Sequence, residues 1–155
     1  MDDVQGALVR SALFRGVPTS LVAAVAATSE ARLLAPDERL LTHGAENDRL
    51  HVVVSGSVNV MVDGPEGPTV HLGPGECVGE LSLLDGRAVS ADVFANESTV
   101  VLSFEREQVW SLIDSSAELA RNLLRVLAHR VRQDDSAMTE SSRLKRYFER
   151  LATVD

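Results

Sequence analysis

The segment from Gly79 to Asp85 holds the residues of this sequence best suited to bind a ligand. It reads Gly-Glu-Leu-Ser-Leu-Leu-Asp and is compact enough to form one or two helical turns. Gly79 permits a close approach to the backbone because it has no side chain. Amide groups near Leu81 and Ser82, at the start of such a helix, have no partner within the helix and are suited to an anion. The segment therefore predicts an anion-binding site.

The other reactive side chains form no catalytic pattern. The histidines His43, His51, His71 and His129 are scattered, without the close pairing that metal-dependent barrels and helical zinc sites need. The sequence has neither a Gly-x-Ser-x-Gly nucleophile elbow nor a P-loop. Its single cysteine, Cys77, excludes an intramolecular disulfide and a multi-cysteine metal site. We expect a protein that is not an enzyme and that holds no metal.

Short strands must position the ligand segment. Between Ala31 and Phe104, apolar residues recur with a period of about two, in clusters separated by turn signals such as Gly73-Pro74-Gly75. The clusters are Arg32–Leu34, Leu40–Thr42, Leu50–Val54, Ser57–Val62, Thr69–Leu72, Ala91–Ala95 and Ser98–Phe104. Many short strands at near-even spacing are typical of a sandwich or barrel.

Helices are predicted on both sides of the strands. From Val4 to Ala27 apolar residues recur at three and four, with a break at Pro18-Thr19, which predicts two short helices. Glu105 to Ile113 predicts another short helix, and Ala117 to Leu151, which contains no Gly or Pro, predicts a long one.

The long helix has an imperfect apolar seam that could pair with a second copy of the chain. The seam residues are Leu124, Leu127, Val131, Met138 and Phe148, and the interruptions are Asp134, Ser141 and Lys145. We therefore expect a weak homodimer through this helix, or a solvated helix that packs on its own domain.

Composition and charge limit the class of protein and the partners that this chain can have. A chain of 155 residues with 45% apolar and 25% charged residues suits one folded domain with an appendage. The net charge of −8 opposes non-specific binding to nucleic acid or anionic lipid, although residues 121–150 hold eight Lys or Arg against four Asp or Glu. No signal peptide and no apolar run of membrane-spanning length is present. We expect a cytoplasmic protein that binds neither DNA nor membrane.

Four blocks, in order, resemble the cyclic-nucleotide-binding domain family of catabolite-activator-type regulators, protein kinase A regulatory subunits and cyclic-nucleotide-gated channels. They are Leu13–Val17, Pro36–Gly44, His51–Val58, and Leu72–Gly75 leading into Val78–Gly86. The resemblance implies an α+β fold, mainly β: a β-roll (double-stranded β-helix, jelly-roll-like) flanked by N-terminal helices and a long C-terminal helix. It places the roll domain at residues 1–116 and the C-terminal dimerisation or signal-output helix at 117–155.

The last block resembles the start of the family's phosphate-binding cassette, which here covers residues 79–91. The resemblance gives Glu80 the role of accepting a hydrogen bond from the ribose 2′-hydroxyl, for which an ionised carboxylate is well suited. Family members typically continue with a Pro-Arg-Ser/Ala-Ala pattern whose arginine pairs with the cyclic phosphate. In that register this chain has Val89 in place of the arginine. Arg87 could substitute if it projects to the same side as Val89, and Ser90 could add a hydroxyl donor.

Two functions follow from these observations. In the first, cAMP or cGMP binds Gly79, Glu80, Leu81 and Ser82 and biases the position of the C-terminal helix. In the second, which the missing arginine favours, the roll binds no cyclic nucleotide and is a dimerising protein-interaction scaffold. A different anion or a cyclic dinucleotide remains a third alternative.

The C-terminal residues bear on the output of the chain. After Arg132 the sequence continues as helix without the turn and second helix of a DNA-binding helix-turn-helix. The stretch Tyr147 to Asp155 resembles the helical lead-in of diguanylate cyclase domains, which implies that the chain could be the sensory part of a longer protein.

Overall fold

The computed structural model describes residues 2–62, 67–136 and 148–152. Two helices open the chain, α1 (Asp2–Arg10) and α2 (Thr19–Thr28). Eight strands follow within the described part: β1 (Glu30–Leu34), β2 (Arg39–Leu41), β3 (Arg49–Ser55), β4 (Val58–Met61), β5 (Thr69–Leu72), β6 (Cys77–Val78), β7 (Asp92–Ala95) and β8 (Thr99–Glu105). Helix α3 (Glu80–Asp85) lies between β6 and β7, and α4 (Arg106–Ser115) and α5 (Ala117–Ser136) follow β8.

The strands form two antiparallel four-stranded sheets. The first has the order β1-β8-β3-β6 and the second the order β2-β7-β4-β5. The predicted α+β roll with flanking helices is thus confirmed. The sequence did not predict β6, because two residues are too short to show an alternation. Its pairing with β3, His51 opposite Val78 and Val52 opposite Cys77, is recognisable only in the fold.

An apolar cluster joins the two sheets, and its side chains come from strands of both. Its members are Leu34, Leu41, Val53, Val58, Leu72, Val78, Val89, Val93, Ala95 and Val101. All are at most 8% exposed, so the interior of the roll is apolar at these positions. Val89 is the one member that lies outside a strand among these residues.

The N-terminal helices are fixed to the roll by a turn at residues 11–17. The Ser11 hydroxyl donates to the Leu8 carbonyl oxygen over 2.6 Å and accepts from the Phe14 amide over 3.2 Å. The buried rings of Phe14 and Phe104 lie 6.1 Å apart between centroids. The Asn122 side chain donates to the carbonyl oxygen of Leu13 over 2.9 Å, which ties the start of α5 to this turn. Leu13 therefore lies in the turn, although its spacing suggested a helix.

Helix α4 begins one residue later and ends two residues later than predicted, and α5 begins at the predicted Ala117. The chain divides into two compact units, Met1–Asn122 and Leu123–Asp155. Residues 148–152 are helical, as the predicted long helix requires. Met138, Ser141 and Lys145 of the predicted seam lie outside the described residues.

Among the described helices, none combines the length and the apolar character needed to span a bilayer.

Candidate functional site

The cassette begins at Gly79, in a backbone conformation that only glycine adopts without strain. Its φ of +89° is in the left-handed region, immediately before α3. A Cβ atom at this position would lie 2.5 Å from the carbonyl oxygen of Arg49 and 3.0 Å from Nδ2 of Asn47. Conformation and space therefore both require glycine, because β3 and the loop before it approach Gly79 closely. The approach of an anion to this residue stays a prediction.

The helix that follows buries two of its polar side chains. Glu80 is 2% exposed and Ser82 is 4% exposed, whereas Leu81 is 44% exposed. Glu80 is thus enclosed by protein at the first position of α3. A carboxylate is seldom enclosed in this way without a specific role, because burial costs it the hydration of its charge.

The Ser82 hydroxyl is engaged within the protein. It accepts a hydrogen bond from Nδ2 of Asn47 over 2.9 Å, and it lies 3.4 Å from the Gly79 carbonyl oxygen, to which it donates. These bonds hold the first turn of α3 together. A contact of Ser82 with a ligand would therefore use its backbone amide more readily than its side chain.

The other side of the cassette places a valine in the roll interior. Val89 is 6% exposed and belongs to the apolar cluster between the sheets. Its amide donates to the Ala45 carbonyl oxygen over 2.9 Å, and its carbonyl oxygen accepts from the Gly44 amide over 2.9 Å. At the position where the family has its phosphate-binding arginine, this chain therefore has an apolar side chain that is buried in the roll.

Arg87 and Ser90 are both exposed, in contrast to Val89. If residues 87–89 formed a strand, the side chains of Arg87 and Val89 would project to the same side and have similar burial. Their burial differs, because residues 86–89 form no regular strand. The Arg87 amide donates to Oδ1 of Asp85 over 2.9 Å, which turns the chain after α3. A role for Arg87 or Ser90 in ligand binding stays a prediction.

A buried polar pair lies on the strands beside the cassette. His51 is opposite Val78, the residue before Gly79, and its Nδ1 atom lies 2.7 Å from Oγ of Ser103. Burial lowers the pKa of His51 to about 4, and the positive charges of Arg32 and Arg49 contribute in the same direction. The imidazole is therefore neutral near pH 7.

Two side chains that the sequence did not single out hold α3, namely Asn47 and Arg106. Asn47 precedes β3 and bonds to the first turn of α3, and Arg106 opens α4 and donates to the Leu83 carbonyl oxygen over 3.3 Å. An asparagine in a polar loop predicts a local turn, and Oδ1 of Asn47 does accept from the Arg49 amide over 3.1 Å. No local signal points to α3, which lies more than thirty residues along the chain from Asn47.

Among the residues that the structure describes, no group of three or more His, Cys, Asp or Glu side chains is arranged to hold a metal ion.

Comparison with known proteins gives consistent matches. Residues 31–116 match the family model described as cyclic nucleotide-binding domain. The chain is 28% identical over 143 residues to a Mycobacterium tuberculosis protein named CRP-like cAMP-activated global transcriptional regulator, covering 90% of this chain and 62% of that protein. It is 34% identical over 128 residues to the cyclic AMP receptor protein of Thermus thermophilus, covering 81% of this chain and 59% of that protein.

Solved structures agree with these sequence matches. The Thermus thermophilus catabolite activator protein superimposes with a TM-score of 0.71 at 34% identity, over 81% of this chain and 60% of that one. The N-terminal domain of a Streptomyces coelicolor transcriptional regulator superimposes with a TM-score of 0.64 at 31% identity, over 90% and 97%. The chain spans less than two thirds of the length of the two curated relatives described above. Because the family model covers more than half of the sequence, this chain belongs to the cyclic nucleotide-binding domain family.

Proposed function

We propose that this chain is a regulatory domain that binds cAMP or cGMP in its roll. The observation that carries the proposal is the formed start of the cassette, where Gly79 adopts the left-handed conformation and Glu80 is enclosed beside it. Both residues match the family pattern, and two relatives are named for their response to cAMP. The ligand would meet the backbone of Leu81 and Ser82 through its phosphate and Glu80 through its ribose.

Val89 sets the strength of this binding. A charge-assisted hydrogen bond contributes about 1.5–3 kcal/mol, so its loss weakens binding on the order of 10- to 100-fold. We expect affinity well below that of a family member that has the arginine. A partial compensation by Arg87 or Ser90 is part of the proposal, since both are exposed at the rim of the cassette.

The proposed output is the C-terminal helix, residues 117–155, in a homodimer. Two of its seam residues, Leu124 and Val131, are 66% and 44% exposed, and Phe148 in the helical stretch 148–152 is 63% exposed. Large apolar side chains left in solvent are suited to a second copy of the same helix. Ligand binding can shift the helix only by as much as the ligand's affinity differs between the two helix positions.

The proposal extends to the output partner of the chain. A diguanylate cyclase domain beyond the C-terminal helix is the partner that residues 147–155 suggest. The prediction that the chain does not bind DNA stays a prediction, because one relative is named as a transcriptional regulator and is matched over 62% of its length. The relatives described above are regulators or receptors by name, which supports a regulatory function rather than an enzymatic one.

One observation favours a second function. Val89 is not merely a neutral replacement, because it fills part of the apolar interior together with side chains of both sheets. A roll that has a core valine in place of the phosphate-binding arginine suits a dimerising scaffold that binds no nucleotide.

Calorimetric titration separates these functions. We would titrate cAMP and cGMP to millimolar concentration into the native chain, Glu80→Ala and Arg87→Ala, with Arg15→Ala as control for loss of an exposed arginine outside the cassette. Saturable binding that is lost in both cassette variants and retained in the control supports the sensor with a relocated phosphate contact. Absence of saturable binding in the native chain, with the dimer retained, supports the scaffold.

A further inference from the structure

Helix α3 depends on its surroundings for its position. It has six residues, and isolated helices of this length are not stable in water. Its first and last turns are each held by a polar side chain from another part of the chain, Asn47 at the start and Arg106 at the end. Neither residue belongs to the cassette.

Asn47 bonds the loop before β3 to the first turn of α3. Its Nδ2 atom lies 2.8 Å from the Arg49 carbonyl oxygen, 2.9 Å from Oγ of Ser82 and 3.4 Å from the Gly79 carbonyl oxygen. Its Oδ1 atom accepts from the Arg49 amide, so both ends of the side-chain amide are in use. The side chain is thus fixed by β3 on one side while it holds α3 on the other.

Arg106 holds the opposite end of α3. Its Nε atom donates to the Leu83 carbonyl oxygen over 3.3 Å, and a terminal nitrogen donates to the Asn47 carbonyl oxygen over 3.4 Å. Carbonyl groups in the last turn of a helix lack partners within the helix, and a cation there is favourable. The Arg106 amide donates to the Asp48 carbonyl oxygen over 3.0 Å, so the start of α4 is bound to the same loop.

We propose that Asn47 and Arg106 are positioning residues that together hold α3 in the geometry in which the ligand meets it. The two residues are joined to each other, so the loop before β3, α3 and the start of α4 form one connected unit. The consequence for ligand binding rests on the function proposed above, whereas the positioning of α3 does not. If α3 occupies this geometry for only a fraction of the time, the apparent association constant is the intrinsic one multiplied by that fraction.

Hydrogen exchange on the ligand-free full chain tests the positioning. The Leu83 amide bonds to the Gly79 carbonyl oxygen and the Gly86 amide to the Ser82 carbonyl oxygen, so both report on the opening of α3. We expect Asn47→Ala and Arg106→Gln to accelerate exchange at these amides by about tenfold or more. Arg106→Lys keeps a cationic donor and should restore most of the protection.

Two controls separate positioning from general stability. Amides of Val101 and Leu102 in β8, a strand paired on both edges, should exchange as in the native chain. Arg121→Gln removes an exposed arginine that pairs with Glu118 and should leave α3 unchanged. Native exchange at α3 in both Asn47→Ala and Arg106→Gln overturns the proposal, and so does an equal acceleration in α3 and β8.

Titration of the same variants with cAMP tests the link to the ligand. If the native chain binds cAMP, we expect Asn47→Ala and Arg106→Gln to raise the dissociation constant by the factor by which they lower the fraction of chains in which α3 is closed. The exchange protection of the Leu83 and Gly86 amides gives that fraction for each chain. A change in affinity that does not follow the change in the closed fraction would show that the held geometry does not serve the ligand, and it overturns that part. If the native chain does not bind cAMP or cGMP, the sensor function fails, and the exchange result alone decides whether the two residues position α3.

Discussion

The backbone of Val89 is bonded to Ala45, with 2.9 Å between the Val89 amide nitrogen and the Ala45 carbonyl oxygen. This bond, and that from the Gly44 amide to the Val89 carbonyl oxygen, fix the valine against the segment between β2 and β3. Its side chain lies in the apolar cluster between the sheets, where it is 6% exposed. A longer side chain at position 89 would therefore contact a ligand bound inside the roll.

Val89→Arg should create the missing phosphate contact. We expect affinity for cAMP to rise on the order of 10- to 100-fold, because a charge-assisted hydrogen bond is gained. The ligand-free chain should lose about 3 kcal/mol of unfolding free energy, because a guanidinium is placed among apolar side chains. Calorimetry and urea denaturation measure the two effects.

Val89→Met is the matched control, since it adds length without charge. It should leave affinity near that of the native chain. A folded Val89→Arg variant that binds no more tightly than Val89→Met would mean that the cassette does not receive a phosphate.

Gly79→Ala should destabilise the chain more than Gly86→Ala. Both glycines have positive φ, +89° and +71°, so alanine costs about 1–2 kcal/mol of backbone strain at either site. Only at Gly79 does the added Cβ also overlap a backbone oxygen, that of Arg49 at 2.5 Å, whereas nothing lies within 4 Å at Gly86. Urea denaturation of both variants gives the difference, and equal losses would contradict the close approach at Gly79.

Acid should destabilise the chain through His51. Its pKa is about 4 in the folded protein and about 6.5 in the unfolded chain, so the unfolded state binds the proton first. The contribution of the neutral imidazole is complete above pH 6.5 and is lost as the pH falls to about 4. The loss amounts to about 3 kcal/mol, as an order of magnitude.

The measurement is the free energy of unfolding of native and His51→Gln chains between pH 7 and pH 4. The difference between the two chains should shrink or change sign toward low pH, because glutamine does not titrate. The same substitution at His43, which is exposed, is the control. Parallel pH profiles of the native and His51→Gln chains would exclude a depressed pKa at His51.

Leu124→Glu should dissociate the proposed dimer. Leu124 is 66% exposed on α5, and a carboxylate at a helix pairing surface introduces like-charge repulsion across a symmetric contact. Sedimentation equilibrium should give the mass of one chain for this variant and of two for the native protein. Leu33→Glu, at a 71% exposed leucine of β1, should leave the dimer intact. Dissociation by Leu33→Glu alone would place the contact on the roll.

Local patterns in the sequence were sufficient for several elements. The alternation in Thr69–Leu72 matches β5 residue for residue, and Glu80–Asp85 matches α3. The break at Pro18-Thr19 marks the start of α2, because proline fixes the backbone before a first helical turn. Each of these signals depends on neighbouring residues only, so it can be recognised without the fold.

The sequence by itself determined most of the strand and helix pattern, the family resemblance, and the presence of Val89 where the family has an arginine. The tertiary structure decided what this difference means, by packing Val89 between two sheets while Arg87 stays exposed. It also brought Asn47 and Arg106, which lie 59 residues apart, to the two ends of α3. Such contacts form between residues that are distant in sequence and are brought together by the pairing of several strands. A local sequence pattern contains no information about which distant side chain will be the neighbour.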